Sequence, residues 1–247
     1  MKIVNSPVKQ NPNFESWKLV LSPTDILVVP GGTISQKPSE SVMTNEEISS
    51  ISSLGNSIIY SVNLNRTPQK EVIQLEKLLS SGIHLFGIRF GNEEYSNISL
   101  QGLSVNAAYT LGREKAKAHY DDTAFFREVF QAYPGVRIYS AGYPSNQLGT
   151  RFNSFRDGWN SFLFETVPKE TALDFHVYDR FSTSEAIDFT YLEEYLLKYT
   201  NPIYTIEAGV IPETAPSIED FTSRSIYIMQ NLYKRLTGKN ISGVHLM

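Results

Sequence analysis

Ile83-His84-Leu85-Phe86-Gly87-Ile88-Arg89-Phe90-Gly91-Asn92-Glu93 is the stretch on which the reading of the fold turns. Its first eight positions are mostly apolar on both alternating sets, the pattern of a strand covered on both faces of a parallel sheet. The run then breaks at a glycine and passes directly into Asn-Glu. A carboxylate placed there belongs at the rim of the sheet, where the C-terminal ends of parallel strands gather their chemistry. Asn201-Pro202-Ile203-Tyr204-Thr205-Ile206-Glu207 repeats the arrangement, with the apolar run first and a glutamate last.

Outward from these two stretches, short apolar runs alternate with amphipathic helical spacing, which predicts βα units and a parallel sheet. Strands are predicted over Asp25–Val29, Ser57–Val62, Val136–Ala141, Ala172–Val177 and Ile241–Met247, with Met1–Val4 the weakest. Helical spacing covers Asn45–Leu54 with Gly55 as its stop, and a second helix opens with Thr67 as N-cap and Pro68 at its first position, closing at Gly82. Further helices are predicted around Val105–His119, over Phe152–Phe164 and over Ser184–Tyr199, with Phe14–Leu21 short or irregular. A pattern carrying Phe125, Phe126, Val129 and Phe130 takes Asp121 or Asp122 as its cap, and a capping-box-like Ser217-Ile218-Glu219-Asp220 opens a helix reaching Gly238.

Seven clear strands and one weak one in 247 residues match the roughly 250 of a (β/α)8 barrel. No G-x-G-x-x-G phosphate turn argues for an open dinucleotide-binding sheet. The expected fold class is therefore α/β, a (β/α)8 TIM barrel with a doubtful first strand and no last helix. It forms a single domain over 1–247, because no linker, short repeat or low-complexity segment interrupts it.

A net charge of −4 without any Lys/Arg run argues against a nucleic-acid partner. The chain has no cysteine, which excludes disulfides, thiolate metal sites and a Cys nucleophile. No run approaches the roughly 18 apolar residues of a membrane helix. Met1–Asn5 lacks an apolar segment behind it, so no secretory signal is predicted and the compartment stays open. His84, His119 and His245 have no metal-ligand spacing, and neither metal nor cofactor is expected. Phe and Tyr number 14 each, which suits a stacked core and equally a cleft for sugar rings. Tyr95, Tyr143 and Trp159 are candidate platforms, although Trp159 falls in an apolar helical stripe.

Five segments, in order, resemble the clan of retaining glycosidases on (β/α)8 barrels, closest to its branches of α-L-arabinofuranosidases and heparanase-like β-glucuronidases. Val29-Pro30-Gly31-Gly32-Thr33 is similar to the turn after the second strand of that clan, and Val62-Asn63 to the end of the third. Gly91-Asn92-Glu93 resembles the fourth-strand motif whose Glu is the acid/base, and Thr205-Ile206-Glu207 the seventh-strand end whose Glu is the nucleophile. His176-Val177-Tyr178 resembles the sixth strand, where a Tyr touches the nucleophile. The resemblance covers about residues 25–247. It implies catalytic Glu93 and Glu207, with Asn92 on the sugar 2-hydroxyl and with Tyr178, His176 and Asn63 as substrate-side residues.

Retaining hydrolysis requires one carboxyl that protonates the leaving oxygen and one that attacks the anomeric carbon, about 5–5.5 Å apart. Glutamates ending the fourth and seventh strands of a barrel face one mouth and meet that requirement. The leading expectation is a retaining O-glycoside hydrolase acting on an oligo- or polysaccharide. Two departures from the family pattern define the alternative. Val28 stands where an Arg commonly precedes Pro-Gly-Gly, and Gly243-Val244-His245-Leu246 lacks the eighth-strand Trp. These favour a glycosidase-like barrel without catalysis, a carbohydrate-binding or structural module of a surface or viral assembly. As bland readings, Asn92 is a turn residue, Asn63 a strand-end cap, and His176 and Tyr178 are satisfied polar groups.

Overall fold

The computed structural model describes residues 3–5, 21–31, 43–96, 98–142, 149–180, 190–198, 200–211, 241–244 and isolated positions between 217 and 230. In chain order the elements are β1 (Ile3–Asn5), β2 (Ile26–Val29), α1 (Asn45–Leu54), β3 (Ser57–Val62), α2 (Pro68–Ser80), β4 (Leu85–Phe90), α3 (Val105–Asp122), α4 (Ala124–Phe130), β5 (Val136–Ser140), α5 (Thr150–Thr166), β6 (Ala172–Arg180), α6 (Thr190–Lys198), β7 (Ile203–Ile211) and β8 (Ile241–Val244). By contacts the chain divides into two compact units, Met1–Asn92 with Asp121–Ser140, and Glu93–Tyr120 with Ala141–Met247.

In the first unit β1 to β5 pair in parallel, each with the next in sequence. All four residues of β2 are buried, as are Ile58, Ile59, Tyr60, Ser61 and Val62 of β3. Unbroken burial along consecutive residues is the physical origin of the continuous apolar runs in the sequence. Between β2 and β3, α1 starts on a full capping box: Thr44 Oγ1 accepts from Glu47 N–H, and Glu47 Oε2 accepts from Thr44 N–H at 2.7 Å. It stops at Gly55, whose φ of 70° suits a residue without Cβ. β1, the doubtful strand of the sequence, pairs with β2 through Ile3, Val4 and Asn5.

One expected cap holds its position without its side-chain bond, and another lies elsewhere. Thr67 holds the N-cap position of α2, but its side chain makes no capping bond; its carbonyl accepts from Lys70 and Glu71 N–H instead. Asp121 and Asp122 do not cap α4. They finish α3, and Thr123 is the residue before α4. Of the aromatic and apolar positions on α4, only Phe126 and Phe130 are buried, and Phe130 lies against Tyr60 with ring centroids 6.2 Å apart.

Glu71 ties the start of α2 to the end of β3. Its Oε2 accepts from Tyr60 Oη–H and Asn63 N–H, each at 2.9 Å, while Oε1 accepts from Arg66 Nη1–H at 2.6 Å. Glu71 is 1% exposed. Burial pushes its carboxyl pKa up, against the opposing pull of the hydrogen bonds from Asn63, Tyr60 and Arg66. Glu71→Ala strips three donors of their acceptor, and chemical denaturation is expected to show a loss of about 3–5 kcal/mol, the cost of breaking a buried pair. Because the folded pKa lies above the unfolded one, the stability linked to this proton is fully present below the unfolded pKa and is lost as pH rises through the folded one. Glu71→Gln, which mimics the protonated form, is therefore expected to improve relative to wild type as pH increases.

In the second unit, α3 and α5 pack backbone to backbone through two glycines. A Cβ at Gly112 would lie 1.9 Å from Phe155 O, and one at Gly158 would lie 2.0 Å from Tyr109 O. The notch explains why helix-weakening glycines sit inside both helices. Helix propensity alone makes Gly→Ala a gain of about 1 kcal/mol. Separating two helices to admit a methyl group costs about 1–3 kcal/mol or more. Gly112→Ala and Gly158→Ala are each expected to lower Tm in thermal unfolding, the sign set by packing rather than propensity.

The strands of this unit, β6, β7 and β8, are parallel. β6 continues through Tyr178-Asp179-Arg180, and β7 runs four residues beyond Glu207, so Glu207 lies within its strand rather than at its end. Of the helix expected over Ser184–Tyr199, Thr190–Lys198 is described. Glu219, Ser223, Ile226, Tyr227 and Gln230 are helical positions within the segment opened by Ser217. Gly32, Thr33, Tyr143, His245 and residues 14–20 lie outside the described residues.

Candidate active site

The turn after β4 is built from unusual backbone. Gly91 has φ 83°, and Glu93 has φ 51°, the one positive φ at a non-glycine among the described residues. A side chain held in the left-handed region costs about 1–2 kcal/mol and persists where surrounding structure fixes it. Such strain points to function from the observation rather than the reverse. Within the first unit, fully buried Arg89 of β4 donates from Nη2 to Asn92 Oδ1 at 2.5 Å. Asn92 is thus anchored from the strand that precedes it.

Asn63, also in the first unit, has its side chain in structural use. Its Oδ1 accepts from Asn65 N–H at 2.9 Å, and its own N–H donates to Glu71. This is the geometry of a strand-end cap, one of the two readings left open by the sequence.

The second unit carries a chain of titratable groups that begins at Glu93. The Glu93 side chain is 25% exposed, and its Oε1 lies 2.7 Å from His176 Nδ1. The opposite ring nitrogen, His176 Nε2, lies 3.2 Å from Asp174 Oδ2, and both of these side chains are fully buried. Asp174 and His176 share one face of β6 because side chains alternate along a strand. The Asp174 carbonyl is held as well, accepting from Ala141 N–H at 2.8 Å. Asp174 was not singled out from the sequence. Its signal was legible, since Asp174, His176 and Tyr178 alternate with Phe175 and Val177 inside an otherwise apolar strand.

Glu207 enters through strand register. Asp174 pairs with Tyr204, but His176 pairs with Glu207, so two steps along β6 match three along β7. This bulge brings Glu207, rather than Ile206, to the register position beside His176. An extra residue in one strand exchanges which residues share a row with its neighbour, and bulges recur beside active sites for this reason. Tyr178 pairs with Gly209 one row pair further along.

Trp159, His119 and His84 make structural contacts. Trp159 is 1% exposed, stacked on His119 at 5.5 Å and met edge-on by Tyr95 at 6.1 Å, so it belongs to the core. His84 Nδ1 lies 3.3 Å from Ser57 Oγ. Among the described residues, no three His, Cys, Asp or Glu side chains group as metal ligands, and no helix is long and apolar enough to cross a membrane.

No protein-family model matches the sequence, and no curated sequence does. Solved structures do. An α-L-arabinofuranosidase from Thermotoga maritima superposes with TM-score 0.50 at 13% identity, over 94% of this chain and 56% of that one. The GH51 α-L-arabinofuranosidase from Thermotoga petrophila RKU-1 gives 0.50 at 14% identity, over 98% and 58%. A GH18 chitinase from Pseudoalteromonas aurantia gives 0.49 at 13% identity, over 100% and 93%. The chain therefore spans little more than half the length of the two arabinofuranosidases. At these identities the likeness to the two arabinofuranosidases defines a fold alone: the chain is an α/β protein of the (β/α)8-barrel type.

Proposed function

We propose that the chain is a retaining O-glycoside hydrolase with Glu93 as acid/base and Glu207 as nucleophile. One observation carries the reading. Strained Glu93 is bonded to His176, and His176 has Glu207 as its register partner. Neighbouring strands run about 4.8 Å apart. That spacing sets the Glu207 backbone one strand away from His176, the side chain that Glu93 contacts, and a retaining enzyme needs its two carboxyls approximately 5–5.5 Å apart.

In the first half-reaction Glu207 attacks the anomeric carbon while Glu93 gives its proton to the departing glycosidic oxygen, leaving a glycosyl ester on Glu207. In the second, Glu93 takes a proton from a water that attacks the same carbon from the face opposite Glu207. The ester breaks and Glu207 is released as a carboxylate. Asn92, anchored by Arg89, is the proposed partner of the sugar 2-hydroxyl, and Tyr178 that of the nucleophile. The substrate is an oligo- or polysaccharide, with α-L-arabinofuranosides the first to try because the structural neighbours act on them.

The test is covalent trapping. An activated 2-deoxy-2-fluoro glycoside slows the second half-reaction more than the first, so the glycosyl ester accumulates. Peptide mass spectrometry is expected to find the label on Glu207; hydrolysis together with a label elsewhere overturns the assignment. A second reading is a barrel that binds carbohydrate without cleaving it. It is favoured by Val28, fully buried at the position where the resembled family carries an Arg. Calorimetric binding of arabino-oligosaccharides with no turnover selects that reading.

A further inference from the structure

We propose that Asp174 is a positioning residue that sets the tautomer of His176 and, through it, the protonation of Glu93. The inference deepens the reading of Glu93 as acid/base and rests on it. Asp174 and His176 are fully buried, and their contact fixes one ring nitrogen while Glu93 Oε1 occupies the other. An ionised Asp174 only accepts hydrogen bonds, so the imidazole proton must sit on Nε2. The Nδ1 lone pair then faces Glu93 at 2.7 Å. A neutral ring in this tautomer requires Glu93 to be the donor, which keeps the acid loaded before the glycosidic bond breaks.

The same arrangement works in the second half-reaction. Once Glu93 has given its proton to the leaving oxygen, a carboxylate oxygen faces an imidazole lone pair at hydrogen-bond distance. That repulsion is relieved when Glu93 takes the proton of the attacking water. One proton leaves Glu93 and one returns, and the His176–Asp174 pair holds its own proton throughout. The logic is that of a carboxylate orienting a catalytic imidazole, displaced by one group: the imidazole here orients a carboxylic acid.

The experiment has two arms. In the first, ¹⁵N spectra of His176 in the wild-type protein are expected to show Nε2 protonated. The chain has four histidines, which makes assignment by single replacement practical. A neutral ring unprotonated at Nε2, or an imidazolium protonated at both nitrogens, overturns the proposal without any variant at position 174. In the second, Asp174→Asn presents an amide whose N–H competes for Nε2 and turns the ring to its Nδ1–H form. A donor then faces Glu93 and holds it as a carboxylate.

For phenyl α-L-arabinofuranoside, whose leaving group needs an acid, Asp174→Asn is expected to lower kcat/KM about 100-fold, within the range of general-acid effects. For the 2,4-dinitrophenyl glycoside, whose leaving group needs none, kcat/KM is expected to stay near wild type. An equal fall on both substrates marks a merely structural role and overturns the proposal. If the wild-type protein cleaves neither substrate, the hydrolase reading fails, while the spectra still decide what Asp174 does to His176.

Discussion

Glu207→Ala is expected to lower kcat/KM for an aryl glycoside by about 10⁵-fold, equivalent to roughly 7 kcal/mol of lost transition-state stabilisation. The size follows from the role. If Glu207 is the nucleophile, its loss removes the two-step route and leaves only direct attack by water on the glycoside. The sharper result is stereochemical. Azide is small enough to occupy the space vacated by the carboxylate and to attack the anomeric carbon from the side Glu207 would have used. The glycosyl azide formed is expected to have inverted configuration relative to the substrate, as seen by proton NMR of the product. Rescue with retention would move Glu207 to the other face of the sugar and remove it as nucleophile. A wild-type rate in the variant would end the two-glutamate mechanism altogether.

The elements carried by simple periodicity were readable from the sequence, and the arrangement that makes a site was readable only in part. α1 and β3 begin and end at the expected residues because their limits are chemical: a capping box at Thr44, a glycine at Gly55 and an apolar run closed at Asn63. Asp121-Asp122 misled because two acids before an aromatic run look like a cap, while the preceding helix simply continued through them. The glycines of α3 and α5 were invisible for the opposite reason, since a helix–helix contact distant in sequence fixes them. The place of Glu93 directly after β4 is legible in the sequence, but nothing there announces that its backbone is left-handed. Nor does the sequence announce the bulge in β7. Counting alternation from Tyr204 gives Ile206 the row beside His176, and only the extra residue gives it to Glu207.

Glu93→Ala is expected to separate substrates by leaving group. For a phenyl glycoside kcat/KM falls by about 10³–10⁴-fold, the upper part of the general-acid range. For a dinitrophenyl glycoside kcat/KM is nearly preserved, while kcat falls because the base of the second half-reaction is gone and the glycosyl ester accumulates. Azide then restores kcat by attacking that ester from the face opposite Glu207, and the product keeps the configuration of the substrate. Retention in this variant and inversion in Glu207→Ala assign the two carboxylates to opposite faces of one sugar, which neither rate alone does. The strained backbone supplies an independent measurement. Glycine accepts φ 51° without the Cβ penalty, so Glu93→Gly is expected to be about 1 kcal/mol more stable than Glu93→Ala, though both lack the acid. Equal stability of the two variants would mean that position 93 carries no backbone strain. The measured difference is then the energy the fold spends to hold a carboxyl at His176.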